Sequence, residues 1–506
     1  MVRHALIYFL RVPVLGNGKT RLRNFLTIEE IKLMSEYLVR KNFDTLSQSH
    51  ADLFLYIPAD NTIEALMDLL PVKEHQVFYQ QESSLGDRMY QAIEEIHARG
   101  YEKIVLAGSD LYNLSDEIVE GLFEELDTQD VVITPSVDGG YGLIGMKKPL
   151  REAFSIANYS HENVTADTIQ AIEAAGYSTS CIGEILDIDD REDIAKALSG
   201  DFSASFYNQG EYNANFIFDQ GQKLLRVALG SQMHLDNQIS YEYHALEALQ
   251  PSSAVVEVYK LVEQTDLIGK GYLVEEFVQG RPLDYQLDMN IAADLLAKIH
   301  SVDPNRGSHL IEAERPFEVM FNEFMTMFQH YKDWPQRDEQ VEKMISEMLE
   351  NLKTYDMTAP IADPCIINTE LNSGNFIINP QGRSCLIDWE KPLIGEKEQD
   401  LGHFLAPTTT LWKTDIILDF DDVFEFVSKY DRLAGGAVDK RKLIQYLQFT
   451  CLRGITWCAM AYVQNIESTK IQSDSQTFEV IQKFVSPSFL EMIQDYIDRG
   501  YNYLDK

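Results

Sequence analysis

Cationic residues are scarce in this 506-residue chain: 43 Lys and Arg stand against 80 Asp and Glu, a formal net charge of −37 at pH 7. A surface that negative repels phosphate backbones and anionic headgroups, so general nucleic-acid or membrane-surface binding is disfavoured. An anionic substrate must then be held locally, by clustered Lys and Arg, backbone N–H groups or a metal ion. Cysteine is rare too. Cys181, Cys365, Cys385, Cys451 and Cys458 are odd in number, widely spaced and form no CxxC, which argues against a zinc site or a disulfide framework and for a reduced cytoplasm. No uncharged apolar run reaches the roughly 18 residues that span a bilayer, the nearest lying around Ile455–Val463. The short apolar run Met1–Leu10 meets Arg11 and Pro13 with no small-residue cleavage site behind it, and reads as a buried first strand. Gly (28) and Pro (16) are too few, and hydrophobic residues at 45% too many, for a disordered or collagen-like chain. At this length, two large domains or about three ordinary ones are expected.

From Ala5 to about Gly200, short apolar runs alternate with amphipathic segments: Ala5–Leu10, Ile28–Leu46, Ala51–Ile57, Leu85–Ala98, Lys103–Ala107, Ser115–Leu126 and Val131–Thr134. That alternation predicts an α/β domain, a mainly parallel sheet with helices on both faces and chemistry at the strand carboxyl ends. A small, polar stretch over Leu198–Ser203 places a domain boundary there, giving domains over 1–200 and 204–506. Beyond it come strand pairs over Ala204–Asp219 and Gln222–Ala228, a helix at Gln238–Leu249, and strands at Ala254–Leu261 and Gly271–Phe277. A mainly helical remainder follows, interrupted by short strands near Cys365–Asp388, so the second domain is expected to be a two-lobed α+β unit.

In the first half, the loop after the first strand holds Gly16, Gly18, Lys19, Thr20 and Arg21. Exposed N–H groups beside Lys and Arg suit a phosphate, although Pro13 at the position of the first glycine disfavours a true P-loop, and an ordinary basic loop would look similar. Val105–Ala107 runs into Gly108-Ser109-Asp110, a strand end presenting a carboxylate that could ligate a hard cation or merely cap a turn. Asp138-Gly139-Gly140-Tyr141 reads either as a close approach to a ligand or as a hairpin turn, and Asp187-Ile188-Asp189 either as a site or as a helix start. In this order, Gly18–Leu22, Leu85–Met89, Gly108–Asp110, Asp138–Tyr141 and Asp187–Asp189 resemble the GT-A-like transferases assigned to arsenosugar biosynthesis, over about residues 2–198. The resemblance implies a nucleotide-binding fold shared by glycosyltransferases and nucleotidyltransferases, with Gly18, Lys19 and Arg21 toward phosphates, Asp110 and Asp189 on a metal, and Asp138 catalytic, on the acceptor side or on the metal. Arg11 stands where that family usually has Lys, and Leu111-Tyr112 replaces its usual Cys-Pro.

In the second half, Gln209-Gly210 lies in a turn between strands, Arg226 is a cation on a strand, and Glu242 on the next helix is a plausible ion-pair partner for it. Glu370 precedes Asn375 by five positions, and Asp388 ends an apolar strand, the base-to-metal-ligand pattern of a kinase catalytic loop. With Tyr272–Gly280 as interlobe connection, Leu296–His300 and Asp400-Leu401, residues 204–470 resemble the aminoglycoside phosphotransferase and choline kinase family. The resemblance implies ATP and Mg2+ (or Mn2+), nucleotide contacts from Gly210, Arg226, Glu242 and Glu276, metal contacts from Asn375 and Asp388, and Glu370 as catalytic base. Where that family has His-Gly-Asp, this chain has Asn368-Thr369-Glu370, and a base longer by about 1.5 Å alters the geometry on a scale that can cost about a hundredfold. Two expectations follow. One is a bifunctional transferase, a nucleotide- or nucleotide-sugar-dependent first domain fused to a kinase, acting on a small hydroxylated metabolite or sugar. The other is one active transferase fused to a degenerate kinase-like binding module.

Overall fold

The computed structural model of the protein describes residues 3–504 apart from 157, 160, 470 and 472. The chain forms two compact units, Met1–Leu229 with Val262–Tyr272, and Gly230–Leu261 with Leu273–Lys506. The change of sequence pattern at Leu198–Ser203 thus lies inside the first unit.

Strands β1 (His4–Phe9), β2 (Asp52–Ile57), β3 (Val77–Tyr79), β4 (Lys103–Ala107), β5 (Val131–Pro135), β6 (Tyr141–Met146) and β7 (Thr179–Cys181) form one sheet in the order β3-β2-β1-β4-β6-β5-β7. Its central strands are buried on both faces, and period-two geometry divides each between two cores. Leu6 and Tyr8 of β1 join Val105 and Ala107 of β4 on one side. Ala5, Ile7 and Phe9 join Ile104 and Leu106 on the other. The pairing is parallel except at β6, which runs antiparallel to both β4 and β5. The mainly parallel sheet therefore carries one reversed strand. It follows β5 through Asp138-Gly139-Gly140, which is a hairpin turn: Gly139 has φ +90°, and a Cβ there would stand 1.9 Å from the Glu162 carbonyl oxygen. The fold, before any ligand, requires glycine at that position.

Helix boundaries follow local signals. Ile28–Gln48 starts at Thr27, whose hydroxyl accepts from the Glu30 N–H while the Glu30 carboxylate accepts from the Thr27 N–H, a complete capping box. Asp190 caps Arg191–Ser199 in the same way, and Gly200 at φ 72° ends that helix. On this helix sits an antiparallel ribbon, β8 (Ser205–Gln209), β9 (Asn213–Phe218) and β10 (Lys223–Ala228). The Arg191 guanidinium lies 3.3 Å from the Phe206 ring centroid, and Phe25 meets Phe216 edge-on at 6.0 Å. These contacts bind the ribbon into the first unit.

The second unit contains strands β11 (Val258–Val262), β12 (Tyr272–Glu276), β13 (Arg281–Pro282), β14 (Pro364–Ile367), β15 (Phe376–Ile378), β16 (Cys385–Leu386) and β17 (Leu393–Glu396), though β11 and β12 each have one residue at the border of the first. The strand expected from Ala254 begins only at Val258, because Ala254–Val256 is buried in the core and Val255 bridges Leu386 instead. β13, β15 and β16 form one small sheet and β14 pairs antiparallel with β17. The helix Lys440–Ile466 is buried along most of its length. It contains the apolar run Ile455–Val463, and among the described residues no helix is long and apolar enough to cross a membrane. Four of the five cysteines are buried, Cys181 is exposed, and all are unpaired.

Candidate functional sites

The first site forms where the loop after β1 meets the end of β4. Gly16 and Gly18 adopt left-handed backbone (φ 74° and 82°), and Lys19 follows at φ 40°, a conformation uncommon outside glycine. The strained turn directs the Lys19 side chain inward, where it is 10% exposed. Its ammonium donates to the Ile188 carbonyl and lies 3.2 Å from Asp110 and 3.6 Å from Asp189. Backbone pairing brings these two carboxylates together: Ile188 N–H donates to the Asp110 carbonyl at 3.0 Å, Tyr112 N–H to Leu186 at 2.7 Å, and Leu111 bridges Asp187. Arg21 and Arg11 also line this cleft of about 300 Å³. Asp138 stands in the β5–β6 turn, accepting from the Gly140 N–H at 2.9 Å and from the Ser136 hydroxyl. Asp187, whose motif the sequence displays but whose role it does not single out, is the most perturbed carboxyl here. Burial first, then the charges of Asp138 and Asp189, push it up to about 7. Burial also raises Asp189, partly offset by Lys19.

The second site lies on the loop between β14 and β15. Asp400, fully buried on the helix Lys397–Leu405, accepts from the N–H groups of Asn368 (2.8 Å) and Thr369 (2.7 Å), and faces His300 Nε2 at 3.2 Å. His300 Nδ1 meets the Tyr430 hydroxyl at 2.8 Å. These bonds hold Thr369 at φ 75°, a costly position for a β-branched residue. Glu370 follows. Its Oε1 accepts from Arg453 at 2.8 Å and lies 3.6 Å from Lys391, while its Oε2 accepts from Gln232 at 3.0 Å. Burial alone would raise the Glu370 carboxyl, but Arg453 and Lys391, with the hydrogen bonds from Arg453 and Gln232, outweigh it and hold the group at about 2. Asn375 is buried, with its side-chain amide 3.4 Å from Asp388 Oδ2 and its carbonyl oxygen accepting from Asn372 N–H at 3.2 Å. Asp388 has φ 65°. His403 is half-buried with Nδ1–H donating to the Leu371 carbonyl at 2.8 Å, burial lowers its pKa, and its ring lines the adjoining cavity with Glu323 and Arg453.

The structure thus gathers Lys19, Asp110 and Asp189 at one site, and Glu370, Asn375 and Asp388 along one loop and strand end. Arg453, Lys391, Gln232 and His403 escape sequence reading because nothing in local spacing marks them. Of the remaining candidates, Arg226 is buried in β10 and Glu242 is buried on the helix Gln238–Leu249. Gly210 occupies the β8–β9 turn, its N–H donating to Asn213 at 2.9 Å. Glu276 at the end of β12 pairs with Arg383 and accepts from the Glu257 N–H at 3.2 Å. Among the described residues no three His, Cys, Asp or Glu side chains are grouped to hold an ion. Asn375 and Asp388 nevertheless fit a hard cation whose remaining ligands come from phosphates and water, which needs only one or two protein carboxylates.

Residues 42–161 match the model of a family described as uncharacterized protein conserved in bacteria (DUF2064), and residues 203–435 match the phosphotransferase enzyme family. No curated protein matches the chain. Among solved structures, a candidate nucleotide-diphospho-sugar transferase from Desulfovibrio desulfuricans is 26% identical over 39% of this chain and 86% of its own, with a TM-score of 0.37. A candidate aminoglycoside phosphotransferase from Ralstonia eutropha is 17% identical over 59% of this chain and 92% of its own, with a TM-score of 0.45. A choline kinase from Streptococcus pneumoniae is 17% identical over 60% and 97%, with a TM-score of 0.40. The sheet of the first half is mixed and mainly parallel, and most of the second half falls within the phosphotransferase family match. Two family models thus match separate stretches of the chain, DUF2064 in the first half and the phosphotransferase enzyme family in the second, and the second match supports a transferase.

Proposed function

We propose a bifunctional transferase of small-molecule metabolism, in which the second half phosphorylates a small alcohol or sugar with ATP and the first half is a metal- and nucleotide-dependent glycosyl- or nucleotidyl-transferase. The observation that carries this reading is the loop on which Glu370 and Asn375 stand, with Asn375 3.4 Å from Asp388 and the loop's strained start fixed by buried Asp400. Asn375 and Asp388 would hold Mg2+ or Mn2+. Such an ion, when bound, neutralises charge on the transferring phosphates. Glu370 would orient the acceptor hydroxyl and accept its proton. A carboxylate held at about 2 is a weak base, so orientation is its larger contribution, as suits a loose transition state in which little proton transfer is needed early. We expect Asp388→Asn to lower phosphotransfer at least about 100-fold in a coupled ADP-release assay over a panel of alcohols and sugars. Absence of transfer to any acceptor by the native chain would reject the kinase reading.

One observation favours a second reading, an active first domain fused to a kinase-like binding module: both Glu370 oxygens are already engaged by Arg453, Lys391 and Gln232. In that case ATP raises thermal stability without turnover.

For the first half, the reading is supported by cations concentrated in one cleft of a chain with net charge −37. Gly18, Lys19 and Arg21 would meet phosphates, Asp110 and Asp189 a metal, and Asp138 the acceptor side. Replacing Lys19 and Arg21 together by Ala should weaken nucleoside diphosphate binding at least about tenfold more than nucleoside binding, since charge-assisted bonds go only to the former. Equal losses, measured by calorimetry, would argue against phosphate contact. Fusion of the two activities suits consecutive steps on one metabolite, in a cytoplasmic setting.

A further inference from the structure

Lys19 cannot hold its observed place and also meet a phosphate. Its ammonium sits 3.2 Å from Asp110 and 3.6 Å from Asp189 and is further held by the Ile188 carbonyl. The two carboxylates are 44% and 52% exposed while the Lys19 side chain is 10% exposed. The cation is therefore the inner partner, lodged between the oxygens, and a left-handed backbone at φ 40° is accepted to put it there. A divalent ion on the same oxygens would stand about 2 Å from each, too close to an ammonium for both to remain.

Building on the metal- and nucleotide-dependent reading of the first half, we infer that Lys19 and a divalent cation compete for Asp110 and Asp189, so that the cation enters together with a phosphate-bearing ligand and not ahead of it. The displaced ammonium, on a flexible four-carbon stem, then turns toward the incoming phosphates beside Arg21 and the Gly18 N–H. Lys19 is in this sense a resident counter-ion that offsets half of the carboxylate charge in the free protein, and a phosphate ligand in the loaded one. The charges can be followed through the exchange: one ammonium offsets one of the two carboxylate charges in the free protein, the arriving dication offsets both, and the freed ammonium offsets part of the phosphate charge.

The test measures binding, not turnover. Mn2+ uptake by the full chain is followed by electron paramagnetic resonance, with MnCl2 alone and with inorganic pyrophosphate, all in an Asp388→Asn background that removes the second domain's candidate ligand. Lys19→Met and Lys19→Gln should each gain one Mn2+ site without pyrophosphate, at least tenfold tighter than in the Lys19 parent, and adding Asp110→Asn should abolish the gain. Pyrophosphate should tighten Mn2+ binding at least tenfold in the parent and much less in the Lys19 variants. Equal Mn2+ affinity in parent and variants without pyrophosphate, with pyrophosphate recruiting Mn2+ to all of them, would overturn the competition while leaving the metal reading intact. No Mn2+ at this site in any protein, with or without pyrophosphate, would overturn both. Using two uncharged replacements separates loss of the ammonium from any folding defect peculiar to one side chain.

Discussion

Asp400→Ala is expected to destabilise the second unit by about 3–5 kcal/mol and to abolish any phosphotransfer. The carboxylate is fully buried and accepts from two backbone N–H groups, at Asn368 and Thr369, besides facing His300. Alanine leaves these groups buried without partners, and each such orphan costs about 1–3 kcal/mol. A further consequence is local. Thr369 is held at φ 75° by its N–H bond to Asp400 and by its hydroxyl, which donates to the Lys391 carbonyl at 2.9 Å. With the first of these gone, the backbone relaxes toward an ordinary region and carries the neighbouring Glu370 with it. Asp400→Asn keeps the shape and one acceptor oxygen, so its loss should be roughly half as large. Urea unfolding followed by tryptophan fluorescence reads the difference, since Trp389 lies buried in the same core. A wild-type midpoint in the alanine variant would show that the loop is not held by Asp400.

Glu370→Gln should reduce stability at pH 7 by up to about 2–3 kcal/mol, a figure already discounted because the carboxylate is 33% exposed and partly screened by solvent. The sign follows from the direction of the shift. Burial works against the charged form, but Arg453 and Lys391 prevail and lower the folded-state pKa from 4.5 to about 2. The carboxylate therefore contributes its full stabilisation above about pH 4.5 and loses it as pH falls toward about 2. The difference between wild type and Glu370→Gln should shrink across that window in urea midpoints recorded at successive pH values. A difference that is flat with pH would mean that the Arg453 pairing contributes nothing net. If Glu370 also serves transfer, Gln will remove turnover, and Glu370→Asp, shorter by about 1.5 Å, will lower it about a hundredfold, with ATP binding retained in both. An Asp variant more active than the native chain would overturn the catalytic reading of Glu370.

Much of the architecture is legible in the chain itself. The helices Leu85–Ala98 and Gln238–Leu249 and strand β4 occupy the ranges their periodicity predicts, because capping residues and buried-face spacing are local signals. The spacing from Glu370 to Asn375 and on to Asp388 is likewise local, and it marks the loop without any coordinates. Tertiary structure alone decided three things. It settled the hairpin reading of Asp138-Gly139-Gly140 and with it set β6 antiparallel in a mainly parallel sheet, since a glycine turn reads the same whether it joins a strand pair or approaches a ligand. It placed Lys19 against Asp189, a residue 170 positions away, and Arg453 against Glu370, 83 positions apart. Such pairs cannot be inferred from composition or period, because the free energy of bringing two charges together is realised only once the intervening chain has folded and excluded water around them. The same exclusion fixes the Asp187 carboxyl at about 7 and the Glu370 carboxyl at about 2. Two carboxyls of similar affinity in the unfolded chain shift in opposite directions because one is buried beside other acids and the other beside Arg453 and Lys391.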